Sequence, residues 1–213
     1  MNMKIVLINE NSQAAKNELV FNTLKEVVTP LGHEAYNVGM FNADDKSLTY
    51  VQNGILAALL INSQAADFVV TGCGTGEGAM LACNAFPKVN CGLIIDPSDA
   101  YMFGQINDGN VASFPFAKGF GWGAELNLKY CFENLFKGER GQGYPKERRE
   151  PEQRNKKILD QVKAVSFRDL KDILKELDRD LVKGAIDRKA FLDYFYQNSK
   201  DEELTNLVKE LVK

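Results

Sequence analysis

The stretch that most constrains the fold of this chain runs from Phe68 to Ala82. It begins with an apolar, largely β-branched run at residues 68–71, which is typical of a buried strand. It then passes through the turn Gly72-Cys73-Gly74-Thr75-Gly76-Glu77-Gly78 and continues into residues 79–82, which are good helix formers. Glycine allows a ligand to approach the main chain closely, and the free N–H groups of a helix start can bind an anion. The sequence therefore predicts a strand-to-helix crossing that can hold a ligand.

The cysteine in this turn points to chemistry beyond anion binding. A phosphate cradle does not need a thiol, and a helix N-terminus favours the thiolate form of Cys73. The alternative is a glycine-rich turn without chemistry, which is common in α/β proteins. A Walker loop is excluded because no Gly-Lys-Ser/Thr follows, and the dinucleotide fingerprint fits poorly because it belongs on the first strand of such a fold. We therefore interpret the turn as catalytic.

The rest of the first 136 residues repeats this alternation of strands and helices. Strands are predicted at Lys4–Ile8, Glu34–Val38, Cys91–Ile95 and Val111–Phe114, in addition to the one before Cys73. Helices are predicted at Ala15–Val28, at Leu48–Ile61 as an amphipathic helix, after Gly78, from Asp96-Pro97-Ser98 onward and at Trp122–Phe136. The pattern predicts an α/β fold, a Rossmann-like three-layer sandwich with a five-stranded parallel sheet, and a C-terminal helical extension.

Beyond Phe136 the composition changes. Residues 137–157 are rich in Gly, Pro, Glu and Arg, and they place Arg140, Arg149 and Arg154 on an arm that we expect to be irregular. The arm is either a solvated linker or a phosphate clamp, because guanidinium groups bind phosphate in a bidentate manner. We divide the chain into a Rossmann-like domain (1–136), an Arg-rich arm (137–165) and a helical extension (166–213).

The extension is predicted to begin with a capping box formed by Ser166 and Asp169. One apolar stripe follows from Phe167 to Leu181 and is closed by Lys183-Gly184, and two shorter amphipathic segments come after it. This part of the chain holds no cluster of catalytic residue types, so we expect it to serve packing or oligomer contact.

Charge and composition limit the classes of partner that we expect this protein to bind. A net charge of -3 over 213 residues gives no reason to expect a nucleic-acid or membrane partner. No apolar run approaches the roughly 20 residues of a membrane helix. The N-terminus passes straight into a predicted strand, so we expect no signal peptide. The four cysteines lack metal or disulfide spacing, and with the single histidine, His33, they make a zinc site improbable. The pattern favours a cytoplasmic protein with reduced thiols.

Several separated motifs together resemble one family. They are Cys73-Gly74-Thr75-Gly76-Glu77-Gly78, Asn84, Asp96-Pro97, Gln105-Ile106-Asn107-Asp108-Gly109-Asn110-Val111, Gly32-His33-Glu34 and Gly138-Glu139-Arg140. In this order they are similar to the ribose-5-phosphate isomerase B and galactose-6-phosphate isomerase family, over roughly residues 4 to 160. The helical extension lies outside the usual length of that family.

The resemblance implies an aldose–ketose isomerase that acts on a phosphorylated sugar through a cis-enediol(ate), without metal or organic cofactor. Cys73 matches the base of the family. The main-chain N–H groups around Gly74, Gly76 and Gly78, with the side chain of Asn107, would hold the oxyanion, and Thr75 would touch the sugar near the ring oxygen. Further residues expected to bind substrate are Glu10, Asn11 and Asp108.

The phosphate is expected to lie on arginines. Arg140 matches an arginine that the family commonly supplies from the neighbouring subunit, and Arg149 or Arg154 would be the second. We therefore expect a homodimer with active sites at the subunit interface, or a higher oligomer built from it.

Two departures from the family pattern put the substrate in question. Glu10-Asn11 replaces the usual Asp-His, and Ile106 stands where a histidine linked to ring opening is usual. Either another group opens the ring, with Glu77 a candidate unless it faces solvent, or the substrate arrives already open or too short to close. We interpret His33 as structural.

We therefore expect a substrate other than ordinary ribose 5-phosphate. The main alternative is a phospho-sugar sensor or inactive subunit on the same fold, although a binding protein would not need the thiol. A redox thiol protein and a nucleotide-binding protein fit less well, because no resolving cysteine and no acidic residue lie at the required spacing.

Overall fold

The segments expected as strands form one parallel sheet. The computed structural model describes residues 2–213. The strands are β1 (Lys4–Ile8), β2 (Glu34–Asn37), β3 (Phe68–Cys73), β4 (Cys91–Leu93) and β5 (Val111–Pro115). They lie in the order β2-β1-β3-β5-β4, and all four neighbouring pairs are parallel. The predicted α/β sheet is confirmed, although β4 ends two residues earlier than expected.

Helices cover both faces of the sheet, as predicted. They are α1 (Asn17–Val28), α2 (Tyr50–Asn62), α3 (Glu77–Asn84), α4 (Pro97–Met102) and α5 (Ala124–Leu135). Alternate strand residues belong to different cores because successive side chains point to opposite faces. Ile5 and Leu7 pack with α1 and α5, whereas Val6 and Ile8 pack with α2.

Helix α2 corrects one expectation, since it is not amphipathic. Its residues from Asn53 to Leu60 are all buried, and Ile55 to Leu60 are fully inaccessible. A helix that is apolar all round needs cover on every side. One side of α2 lies on the sheet, and the other is covered by the C-terminal helices.

The C-terminal part contains five helices, α6 (Arg149–Ser166), α7 (Leu170–Glu176), α8 (Arg179–Ile186), α9 (Lys189–Asn198) and α10 (Glu202–Val212). The expectation of an irregular arm was wrong from residue 149 onward, because the charged segment supports an 18-residue helix. The capping box was also wrong: Ser166 ends α6, and Asp169 alone caps α7 through the Lys171 N–H. The stripe expected to end at Lys183-Gly184 is split between α7 and α8, with a second cap at Asp178.

The last four helices share one core with α2 and the sheet, in which α7 and α8 contact α2 and α10 contacts α8. Phe191 and Phe195 are fully buried, with ring centroids 5.3 Å apart. The hydroxyl of Tyr194 donates to the carbonyl of Ala65 at 2.8 Å. No helix among residues 2–213 is long and apolar enough to cross a membrane.

Because Phe195 fills this shared core, Phe195→Ala should lower the free energy of unfolding by about 3–5 kcal/mol. Urea unfolding followed by circular dichroism measures the change. The exposed neighbour Gln197 provides a control, and Gln197→Ala should change the free energy by less than about 0.5 kcal/mol. A near-native midpoint for Phe195→Ala would show that the tail does not stabilise the sheet.

Candidate active site

The carboxyl ends of β1 and β3 lie side by side. Ile8 pairs with Thr71 in the sheet, and the hydroxyl of Thr71 donates to the carbonyl of Ile8 at 2.8 Å. Asn53 of α2, which is fully buried, donates to the same carbonyl at 3.2 Å and to the Thr71 hydroxyl at 3.0 Å. Helix α2 therefore fixes the ends of both strands, and the residues that follow them, Glu10 and Cys73, lie at the same edge of the sheet.

The main chain of the turn after β3 is held by hydrogen bonds from β5. The carbonyl of Cys73 accepts from the Phe116 N–H at 2.9 Å, and the carbonyl of Gly74 accepts from the N–H groups of Ala117 and Lys118. The hydroxyl of Ser113 donates to the carbonyl of Gly76 at 2.6 Å. These bonds hold the Cys73 thiol, which is 8% exposed, at the base of a well-ordered turn.

Packing requires glycine at two positions of the turn. A Cβ on Gly72 would lie 2.4 Å from the carbonyl oxygen of Phe114, and one on Gly76 would lie 2.5 Å from Leu93. Gly76 also has φ of +79°, which disfavours other residues, and it forms the N-cap of α3. The fold therefore accounts for both glycines without a ligand.

Gly74 differs, because a Cβ there would make only ordinary contacts, at 3.7 Å from Ala117 and 3.9 Å from Gln13. The fold therefore leaves room for a methyl-sized group on this residue, which directly follows Cys73 in the chain. A glycine at such a position fits a site where a ligand approaches the main chain.

The other expected residues at this edge are already engaged in part. The buried carboxylate of Glu10 accepts from the N–H and hydroxyl of Ser12, at 2.9 and 2.6 Å, and so caps the 3₁₀ helix Asn11–Lys16. Asn11 is exposed and donates to the hydroxyl of Ser47. The hydroxyl of Thr75 accepts from the N–H of Glu77, whose side chain is exposed.

The remaining candidates lie at the amino edge of the same sheet. Val69 pairs with Val111 and Cys73 with Pro115, so β5 rises by about 13 Å between these levels. Asn107 and Asp108 precede β5 and therefore lie beyond the amino end of this span. A single chain does not bring Asn107 together with Cys73.

Arg140 also lies at the amino edge, and its guanidinium is largely enclosed. It stacks over the ring of Phe68 at 4.6 Å, its Nε donates to Asp108 at 3.2 Å, and another nitrogen donates to the carbonyl of Gly109. The third nitrogen is buried and has no partner among residues 2–213. Burial lowers the pKa of Arg140 and the neighbouring carboxylate of Asp108 opposes this shift.

The structure also gives the positions of four other residues that the sequence analysis discussed. Arg149 begins α6 and Arg154 follows on it, and both side chains are exposed. Ile106 is half-buried in a π-helical turn (Phe103–Asn107). His33 precedes β2 at the amino edge, where its ring accepts from the Met3 N–H and burial lowers its pKa, so it lies far from the thiol.

Sequence reasoning missed three side chains around the turn. The ring of Tyr50 lies 3.3 Å from the position of a Cβ on Gly78, and the amide of Gln13 faces Gly74. Lys16 donates to Gln13 at 2.9 Å and to the carbonyl of Phe116. Gln13 and Lys16 follow β1 closely in sequence, so their position after a strand end is the signal that could have identified them.

The contrast between the glycines gives a testable pair of variants. Gly74→Ala should leave the thermal midpoint unchanged or slightly raised, because the new methyl group fits the fold, and it should weaken ligand binding at the turn. Gly76→Ala should lower the midpoint, because the residue becomes strained and collides with Leu93. Differential scanning calorimetry measures both. A large loss of stability in Gly74→Ala would show that packing, and not a ligand, requires this glycine.

Comparisons with known proteins agree with the fold and with the family that the motifs resemble. A family model described as Ribose/Galactose Isomerase matches residues 5–140, and a second, described as Ribose-5-phosphate isomerase, matches residues 165–211. A search of curated proteins gave no significant match.

Solved structures extend the similarity over the whole chain. A 4-deoxy-L-threo-5-hexosulose-uronate ketol-isomerase complexed with a tartrate is 55% identical, with a TM-score of 0.96 and 99% of both chains covered. A ribose-5-phosphate isomerase from Vibrio parahaemolyticus is 50% identical, with a TM-score of 0.97, over 99% of this chain and 100% of the other. The type B ribose 5-phosphate isomerase of Trypanosoma cruzi, at 17% identity and a TM-score of 0.66, covers 78% of this chain and shares the fold. This chain belongs to the ribose/galactose isomerase family.

Proposed function

We propose that this protein is an aldose–ketose isomerase that uses Cys73 to move a proton between neighbouring carbons of an open-chain, negatively charged sugar derivative. The family consists of sugar-phosphate isomerases, and two relatives that are at least 50% identical to this chain are isomerases. The observation that carries the proposal is Cys73, 8% exposed in the strand-to-helix turn, followed by Gly74, a glycine that packing does not require. A sensor would need room for its ligand at the turn but would not need the thiol.

The substrate class follows from the absence of a proton-transferring side chain at residue 106. A cyclic sugar must be opened before isomerisation, and opening requires a group that transfers a proton to or from the ring oxygen. Ile106 cannot do so, and among residues 2–213 the single histidine lies at the amino edge of the sheet. We therefore favour a substrate that cannot close a five- or six-membered hemiacetal ring at C1.

The substrate named for the 55% identical relative has this property. A hexose that is deoxygenated at C4 and oxidised to a ketone at C5 has no hydroxyl with which C1 could form a five- or six-membered ring. Its charge is a carboxylate and not a phosphate. We therefore propose an open-chain keto-uronate as the substrate class.

A phosphorylated sugar is the second candidate. It is supported by the family description and by the relative from Vibrio parahaemolyticus. Against it, two of the three guanidinium nitrogens of Arg140 are engaged by Asp108 and Gly109, and the third is enclosed. A phosphate would have to displace these contacts or use Arg149 or Arg154 instead.

In the proposed reaction the thiolate of Cys73 removes the proton from C2, and the aldehyde oxygen at C1 takes the negative charge of a cis-enediolate. The main-chain N–H groups between Gly74 and Gly78 stabilise that charge as preorganised donors. Cys73 returns the proton to C1, and the hydroxyl proton of O2 passes to O1. The product carries a hydroxyl at C1 and a ketone at C2, and no atom is gained or lost.

In this scheme, Asn107 is supplied to the active site by a second copy of the chain. It lies across the sheet from the thiol of its own protomer, so a two-fold dimer is the simplest arrangement that joins the two edges. In that arrangement each site takes Cys73 from one protomer and Asn107, with Asp108, from the other.

The activity is tested by supplying the purified protein with the keto-uronate, with ribose 5-phosphate and with hexose 6-phosphates. We expect turnover of the keto-uronate, and Cys73→Ala should lower kcat/KM by about 10²- to 10⁴-fold, because the base is lost. Cys131→Ala is the matched control, since that thiol is buried between α5 and the sheet. Turnover of phosphorylated sugars alone would select the second candidate, and binding without any turnover would support the sensor.

The shared site is tested by mixing two inactive variants, Cys73→Ala and Asn107→Ala. Random exchange of protomers makes half of the dimers mixed, and each mixed dimer has one native site, so about a quarter of the native activity should return. Exchange is verified by native mass spectrometry. No recovery despite exchange would place both side chains in the same protomer's site or remove Asn107 from it.

A further inference from the structure

The side chain of Gln13 borders the methyl-sized space beside Gly74. Its Nε2 lies 3.9 Å from the position that a Cβ on Gly74 would take, and Ala117 borders the same space at 3.7 Å. Gln13 is half-buried and lies in the 3₁₀ helix that follows β1. The amide of Gln13 is therefore a polar group next to Gly74, the residue that follows Cys73.

The orientation of this amide is fixed by Lys16. An ammonium group can only donate hydrogen bonds, so the bond of 2.9 Å from Lys16 requires the oxygen of Gln13, and not its nitrogen, on that side. Lys16 is itself held by the carbonyl of Phe116 and lies 4.6 Å from the centre of the Phe120 ring. The NH₂ group of Gln13 must consequently face away from Lys16.

One hydrogen of that NH₂ group donates to the hydroxyl of Ser12 at 3.2 Å. This hydroxyl donates in turn to the buried carboxylate of Glu10 at 2.6 Å. An amide nitrogen has two hydrogens, so the other is available on the side of Gly74. The network from Glu10 to Lys16 thus presents one oriented donor at the turn.

We propose that Gln13 is a substrate-binding residue that donates a hydrogen bond to an oxygen of the open-chain sugar lying against Gly74, and that Lys16 is a positioning residue that orients the Gln13 amide. The inference rests on the proposed function, because it assumes that the reacting carbons lie beside Cys73. It explains why a glutamine and a half-buried lysine accompany a turn whose own main chain already supplies donors. The donor discriminates for substrates with an oxygen at that position, since an unpaired amide would oppose others.

The first test measures kcat, KM and the thermal midpoint of Gln13→Leu and Gln13→Glu. Both variants remove the oriented donor, and kcat/KM should fall by about 10²-fold with a midpoint close to that of the native protein. Gln197→Leu, on the exposed face of α9, serves as the control. Native kcat/KM in both Gln13 variants would overturn the proposal, and so would a loss that only parallels a lower midpoint.

The second test separates Lys16 from general stabilisation. Lys16→Met should reproduce the kinetic effect of Gln13→Leu, and the double variant should be no worse than either single variant, because both act through the same donor. Lys25→Met, on the exposed face of α1, is the matched control. Additive losses would show that Lys16 does not act through Gln13.

Binding of tartrate, the hydroxy diacid present with the 55% identical relative, makes the inference independent of turnover. Isothermal titration calorimetry should give a weaker Kd for Gln13→Leu than for the native protein. If no sugar is turned over but this difference holds, the proposed function fails and the role of Gln13 in binding stands. If native protein binds neither tartrate nor keto-uronate, both proposals fail.

Discussion

The burial of α2 on every side is the constraint on which the rest of the structure depends. Its residues Ile55 to Leu60 are inaccessible because the sheet covers one side and the C-terminal helices cover the other. Asn53 on the same helix holds the ends of β1 and β3. A Cβ on Gly54 would lie 2.7 Å from the carbonyl of Ala82, so α3 packs directly against α2 as well. The helices at the end of the chain therefore support the edge of the sheet that carries the Cys73 turn.

A parallel sheet also separates the candidate residues. Residues that follow strands, such as Glu10 and Cys73, meet at the carboxyl edge, and residues that precede strands, such as Asn107, meet at the other. The ion pair of Arg140 with Asp108 consolidates the amino edge within one protomer. The residues at the amino edge therefore either take part in catalysis in the site of another copy of the chain, or they serve only to stabilise the structure.

Much of the fold could be predicted, because strands of a parallel sheet are short, apolar and regularly spaced. The catalytic turn was recognisable from Gly72 to Gly78, since glycine and cysteine are both unusual there. The expectation for α2 was wrong because a uniformly apolar helix shows that it is covered without showing by what. The arm was misjudged because its charged residues suit an exposed helix as well as a linker.

The site was less predictable than the fold. Gln13 and Lys16 are ordinary residues of a polar segment, and only the three-dimensional contact with Gly74 distinguishes them. Sequence reasoning assigned one role to all the glycines, but packing explains Gly72 and Gly76 and leaves Gly74 without such an explanation. That division depends on whether a Cβ would lie about 2.5 Å or 3.7 Å from its nearest neighbour, which no pattern of residue types can supply.

The exposure of helix α6 determines which part of the protein unfolds locally first. Within the described chain none of its 18 residues is fully buried, and Ile158, Leu159, Val162 and Val165 are each about half exposed or more. An isolated helix of this length is only marginally stable in water. In a single protomer, the backbone amides of α6 should therefore exchange with solvent well before those of α2, which open only with the core. The core around α2 thus unfolds as one cooperative unit, whereas the stability of α6 depends on the groups that surround it.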